Sequence, residues 1–117
     1  MGKLSTHVLD ITSGKPAAGV AIQLYAIESA GRRLLRSVIT NSDGRCDAPL
    51  LAGDELLPGL YELVFAAGAY FEGQGVVVPL PRFVDCVTLA FGIASTAENY
   101  HVPLLVSPWA YSTYRGS

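Results

Sequence analysis

The chain is 117 residues long, half of them hydrophobic and 15% charged, with a formal net charge of -2. That length predicts a single domain spanning residues 1–117, and the apolar content excludes a disordered chain. Eight basic residues, scattered rather than clustered, give no footprint for a nucleic-acid backbone or an anionic membrane surface.

A domain this small has too little interior for so much apolar material, so the surplus is expected between copies of the chain. The opening Met1-Gly2-Lys3-Leu4-Ser5-Thr6-His7 has no charged region followed by the apolar run of a signal peptide. No stretch approaches the ~20 apolar residues of a membrane span. The expected compartment is reducing cytoplasm. Met1-Gly2 with Thr6 touches the N-myristoylation pattern in three letters only. Cys46 and Cys86 form no Cys-x-x-Cys pair and are expected as buried or half-buried free thiols.

Taken in order, the chain reads as all-β: short runs of Val, Ile, Leu, Tyr and Phe, punctuated by Gly, Pro, Asn and Asp about every 8–12 residues. The first strand, over 4–12, places His7, Leu9 and Ile11 on one face and Thr6, Val8 and Asp10 on the other, because strand side chains alternate. A turn over 13–19 leads to a strand at 20–27, and a hairpin connection over 28–32 leads to a strand at 33–40. Asn41-Ser42-Asp43-Gly44 is a turn in which Asn and Asp bond the local backbone and Gly supplies the positive φ, and Arg45 follows at once.

A strand at 60–67 opens after Pro58-Gly59, and one short helix is expected within 66–73. The run at 83–93 is the clearest strand, and two more follow at 100–106 and 110–115. Pro103 donates no backbone bond and so predicts an edge, a bulge or an irregularity near His101. The expectation is a two-sheet antiparallel β-sandwich of about seven or eight strands with one short helix.

His7 and His101 are the only histidines, one near each end of the sequence. Histidine exchanges protons near neutral pH, so two that met would suit general base and general acid work; the alternative is two satisfied structural histidines. Arg45 offers a permanently charged fork for adjacent oxygens or a ring bearing carbonyls, or else is a surface residue after a turn. Ser117 offers a hydroxyl and a terminal carboxylate, with Tyr114 and Arg115 beside it to orient them, where a solvated tail is the ordinary case. No Gly-x-Ser-x-Gly elbow, Walker loop, Gly-x-Gly-x-x-Gly or His-Glu-x-x-His occurs. No Cys and His share metal-ligand spacing, so no metal is expected; zinc between His7 and His101 is a minor alternative.

Three blocks carry a resemblance. The ending, Tyr100-His101-Val102-Pro103-Leu104-Leu105-Val106-Ser107-Pro108 and then Tyr111-Ser112-Thr113-Tyr114-Arg115-Gly116-Ser117, resembles that of the 5-hydroxyisourate hydrolases, the enzyme members of the transthyretin-like family. Leu4-Ser5-Thr6-His7-Val8-Leu9-Asp10, with Gly14-Lys15-Pro16-Ala17, resembles that family's opening motif, and Asn41-Ser42-Asp43-Gly44-Arg45 its middle motif. The resemblance implies the transthyretin-like sandwich of two four-stranded sheets and a homotetramer with active sites between its dimers. It implies hydrolysis of 5-hydroxyisourate to 2-oxo-4-hydroxy-4-carboxy-5-ureidoimidazoline, without a cofactor. It places catalytic roles on His7, Arg45 and His101 and substrate contacts on Tyr114, Arg115, Gly116 and Ser117. Transthyretins proper share the sandwich but lack the YRGS ending, so a small-molecule carrier without catalysis is the second reading and a purely structural subunit the third.

Overall fold

The computed structural model describes residues 2–117; Met1, and with it the first letter of the myristoylation pattern, lies outside them. Gly2 is buried, its amide donates to the Thr96 carbonyl at 2.8 Å, and a Cβ there would stand 1.8 Å from the Glu98 carbonyl oxygen. Close packing therefore accounts for that glycine.

The strands are β1 (Lys3–Ser5), β2 (Val8–Asp10), β3 (Lys15–Pro16), β4 (Ala21–Glu28), β5 (Gly31–Ile39), β6 (Leu51–Ala52), β7 (Gly59–Ala66), β8 (Cys86–Ile93), β9 (Tyr100–His101), β10 (Leu104–Val106) and β11 (Tyr111–Ser112). Among the described residues one α-helix, α1 (Ala67–Gly73), follows β7, and a short 3-10 turn (Gly53–Glu55) follows β6. One layer is the antiparallel sheet β5-β4-β7-β8. The other is broken into β6-β1-β9 and β11-β10-β2-β3. Bonds from Val102 N to Ser5 O and from Leu104 N to His7 O, both 2.9 Å, carry it across the break.

The all-β sandwich with one short helix is the expected architecture. Within it β1 pairs with β9, and β2 with β10, in parallel rather than antiparallel fashion. Tight turns force antiparallel pairing only on sequence neighbours, and these partners come from opposite ends of the chain. The expected strands over 4–12 and 100–106 are each interrupted once, at matching heights. The expected strand over 83–93 starts only at Cys86, because its partner β7 ends opposite it at Ala66 and gives way to α1. The one over 110–115 shrinks to β11.

Leu4, Val8, Ile22, Leu24, Leu63, Phe65, Val87, Leu89, Leu104 and Val106 from both layers form one buried core. Thr6 and Asp10 point inward with them, and each is satisfied, as buried polar groups must be. Thr6 Oγ1 donates to the Val102 carbonyl at 2.7 Å. Asp10 accepts from the Thr12 and Ser13 amides and, at 2.9 Å, from the hydroxyl of Tyr70 on α1, pinning the helix to the sheet. Ser5, His7 and Leu9 consequently face outward and half-buried, with Ile11 more open. Both cysteines are free; Cys46 is half-buried, but Cys86, at the start of edge strand β8, is exposed rather than buried.

Candidate active site

His7 occupies the interruption between β1 and β2, and His101 ends β9 on the neighbouring strand. The parallel pairing of the chain ends brings the rings together: His7 Nδ1 lies 2.7 Å from His101 Nε2, with ring centroids 4.8 Å apart and planes inclined at 33°. The second nitrogen of His101, Nδ1, is 2.8 Å from Ser5 Oγ. Both ring nitrogens of His101 are thus engaged. Among the described residues His7 Nε2 has no partner, which leaves it as the nitrogen turned to the outside.

Arg45 reaches this pair through the turn before it. Asn41 Oδ1 accepts from the amides of Asp43 (2.9 Å) and Arg45 (3.2 Å), and the Asn41 amide donates to the Arg45 carbonyl at 2.8 Å. Gly44 has φ of 70°, and a Cβ there would come within 2.5 Å of the Val8 carbonyl oxygen. Only glycine lets the turn lie this close to the strand. The Val8 amide donates to Gly44 O at 2.8 Å, and Arg45 forms a β-bridge with His7. No carboxylate pairs with the Arg45 guanidinium among the described residues.

The C-terminal segment approaches from the other side. His101 N donates to Gly116 O at 3.1 Å and Gly116 N donates to His101 O at 2.7 Å. A Cβ on Gly116 would meet His101 Cβ at 3.1 Å, so the contact favours glycine. The amides of Val102 and Leu104 point to the first strand, so position 103 would aim its N–H at the C-terminal segment, between the Gly116 bridge and β11. Proline there has no donor to strand, and residues 113–115 leave the ladder opposite it. The irregularity read from Pro103 is this gap.

Arg115 is occupied. Its guanidinium lies 4.4 Å from the centroid of the Tyr100 ring and pairs with Glu98 at 3.1 Å, which fixes the tail against the residue before His101. Tyr114 and Arg115 line an apolar cavity of about 200 Å³ with Leu89, Phe91, Tyr100 and Val102, and neither histidine reaches it. Ser5 and Arg45 line a separate shallow depression of about 190 Å³. Ser117 is exposed. The structure thus joins His7, His101, the Arg45 backbone, Gly116 and the edge of the Tyr114 ring, whose Cε1 would lie 3.4 Å from a Cβ on Gly116, while the Arg115 guanidinium turns to Tyr100 and Glu98.

Burial holds the His7 imidazolium in disfavour, and His101 and Arg45 add to the effect, so its pKa falls below the ordinary 6.5. His101 is lowered as well, first by burial and then by Arg45. Two neutral imidazoles at neutral pH can share one proton between them and keep a lone pair or an N–H at the outer nitrogen. Among the described residues no three His, Cys, Asp or Glu side chains cluster as a metal set. The facing nitrogens of the two histidines bond each other instead of converging on one point. Ser5 is the participant that residue chemistry alone did not single out; its only signal was an i, i+2 position on the face of His7.

The model of the HIUase/Transthyretin family matches residues 4–116. A protein of Mesorhizobium japonicum named 5-hydroxyisourate hydrolase is 60% identical, covering 99% of this chain and 93% of its own length. The solved structure of Klebsiella pneumoniae 5-hydroxyisourate hydrolase superposes with a TM-score of 0.82 at 36% identity, over the full length of both chains. That of an (S)-allantoin synthase superposes at 0.94 with 43% identity, covering 99% of this chain and 44% of that longer one.

Proposed function

This chain belongs to the HIUase/Transthyretin family, and from that premise we propose that it hydrolyses 5-hydroxyisourate, opening the ring at an acyl carbon–nitrogen bond to give 2-oxo-4-hydroxy-4-carboxy-5-ureidoimidazoline. The observation that carries the reading is the contact of His7 Nδ1 with His101 Nε2 at 2.7 Å beside Arg45. Hydrolysis needs a positioned water, a group to take its proton and a donor for the oxygen that gains charge.

His7 is the base in this reading, because its Nε2 is the nitrogen not used inside the pair. It takes the proton of a water while the water oxygen adds to the ring carbonyl carbon. Arg45 balances the charge that develops on the carbonyl oxygen and holds the ring. As the carbon–nitrogen bond breaks, the proton passes from the histidine pair to the departing nitrogen, so the pair ends as it began. Tyr114 and Ser117 make contacts to substrate, while Arg115 and Gly116 serve the site by holding the tail on β9. No step calls on a cofactor.

We read the chain as one transthyretin-like domain that works as a homotetramer in the cytoplasm, with sites between dimers. Two features support self-association. The face bearing Ser5 and His7 also presents Leu9, Ile11 at 46% exposure and Leu105. Edge strand β8, with the sequence CVTLAFGI, carries neither charge nor proline, the usual protections of an open edge.

The test follows the ultraviolet decay of 5-hydroxyisourate, generated in place from urate and urate oxidase, with and without this protein. Decay well above the spontaneous rate, with the ureidoimidazoline as product, is expected. Binding of small aromatics with decay at the spontaneous rate would instead make this a carrier.

A further inference from the structure

We propose that Ser5 is a positioning residue for the histidine pair, its hydroxyl orienting His101 and completing a three-member proton relay, Ser5–His101–His7. The inference rests on the hydrolase reading above and adds to it a residue outside the His7, Arg45 and His101 set.

The geometry is a chain of two contacts: Ser5 Oγ to His101 Nδ1 at 2.8 Å and His101 Nε2 to His7 Nδ1 at 2.7 Å. Each contact holds one proton, and a hydroxyl is both donor and acceptor, so the chain runs in either sense. In one sense His7 Nδ1–H donates to His101 Nε2, His101 Nδ1–H donates to Ser5 Oγ, and His7 Nε2 carries a lone pair. In the other sense Ser5 donates to His101 Nδ1, His101 Nε2–H donates to His7 Nδ1, and His7 Nε2 carries a hydrogen. The first is the base form and the second an acid form of the same outer nitrogen.

When His7 Nε2 takes a proton from water, the positive charge can move to His101 by passage of the Nδ1 proton across the 2.7 Å contact. His101 then donates Nδ1–H to Ser5 Oγ in a charge-assisted bond, roughly twice as strong as the neutral one. Without that acceptor the charged pair has one donor unpartnered in a half-buried site. The other charged and titratable groups around the pair are Arg45, Cys46 and Asp47 on the segment bridged to His7. On the segment bridged to His101 they are Tyr114 and Arg115, the latter paired with Glu98. None of these accepts from His101 Nδ1 among the described residues.

The position of Ser5 is well fixed. It ends β1, its carbonyl accepts from the Val102 amide at 2.9 Å, and next to it the buried Thr6 Oγ1 locks onto Val102 O at 2.7 Å. The hydroxyl therefore meets the ring through a register set by backbone, as precise second-layer support requires.

Ser5→Thr and Ser5→Val, which share a shape and differ in the hydroxyl, supply the test, with Ser5→Ala as a third variant. We expect Ser5→Val and Ser5→Ala to lower kcat by about 10- to 100-fold with KM little changed. Their acid limb should move to lower pH, because the protonated pair has lost its acceptor, and Ser5→Thr should restore both. In ligand-free protein the ring 15N shifts of both His101 and His7 should move in Ser5→Val and stay near the parent in Ser5→Thr. Parent-like kcat and pH profile in Ser5→Val, or a Ser5→Thr as impaired as Ser5→Val, overturns the proposal. A parent that fails to hydrolyse 5-hydroxyisourate sinks the functional reading instead, and the ring shifts then decide the role of Ser5 alone.

Discussion

His7 Nδ1 and His101 Nε2, 94 residues apart in sequence, face each other at 2.7 Å, and the contact exists because the two ends of the chain pair in parallel. Burial makes protonation of both rings harder, His101 adds to the effect on His7, and Arg45 acts on both in the same direction.

The acid limb of kcat/KM is therefore expected below the ordinary histidine value of 6.5, because a base whose pKa is lowered stays neutral further into acid. Removing the positive charge with Arg45→Met should shift this limb to higher pH while also lowering kcat. Stability follows the same sign. Histidines with lowered pKa values stabilise the fold fully above about 6.5, and that contribution declines as pH falls from there through their folded values. A pH–rate profile of parent and Arg45→Met checks the first statement; a limb that does not move on losing the arginine contradicts it.

Gly116→Ala places a methyl 3.1 Å from His101 Cβ, a distance that obliges one of them to shift. We expect kcat to fall by about 10-fold or more, since small misplacements of a proton-transfer group are costly. The melting temperature should change little, because the segment is mostly exposed. Unchanged kcat would mean that the tail is not what positions the ring.

Thr6→Val keeps the shape of a buried side chain but removes the donor to Val102 O. Leaving that carbonyl short of a partner should destabilise the fold by about 1–3 kcal/mol in denaturant unfolding. A value near zero would show that Thr6 is not the anchor between the two interrupted strands.

Ile11→Arg puts a charge on the apolar outer face that carries the histidines. In sedimentation equilibrium the parent should run as a tetramer and the variant as a smaller species with reduced activity. A parent that sediments as a monomer at micromolar concentration contradicts the assembly.

Much of this was legible in the sequence, for reasons that differ from residue to residue. The Asn41–Gly44 turn and the placement of Arg45 follow from local chemistry, since Asn and Gly at those positions have few other uses. The irregularity at Pro103 was equally local. The meeting of His7 and His101 was not, because alternation gives a face and never a partner; the resemblance to the family supplied it. Parallel pairing of the chain ends is a tertiary choice that turn spacing cannot express. Ser5 stayed invisible because a serine on a strand has no distinguishing pattern until its hydroxyl is seen against a ring nitrogen. The short strands β3 and β6 escaped for a related reason: two-residue ladders owe their pairing to neighbours rather than to their own periodicity.

The most direct measurement compares parent, His7→Asn, His101→Asn and the double variant in the decay of 5-hydroxyisourate, each first confirmed as folded by circular dichroism. If the two rings act as one unit, each single change should lower kcat by roughly 100- to 10,000-fold, and the double change should cost little more than either. Single variants that turn over substrate at the parent rate would contradict the account. So would losses that simply multiply in the double variant.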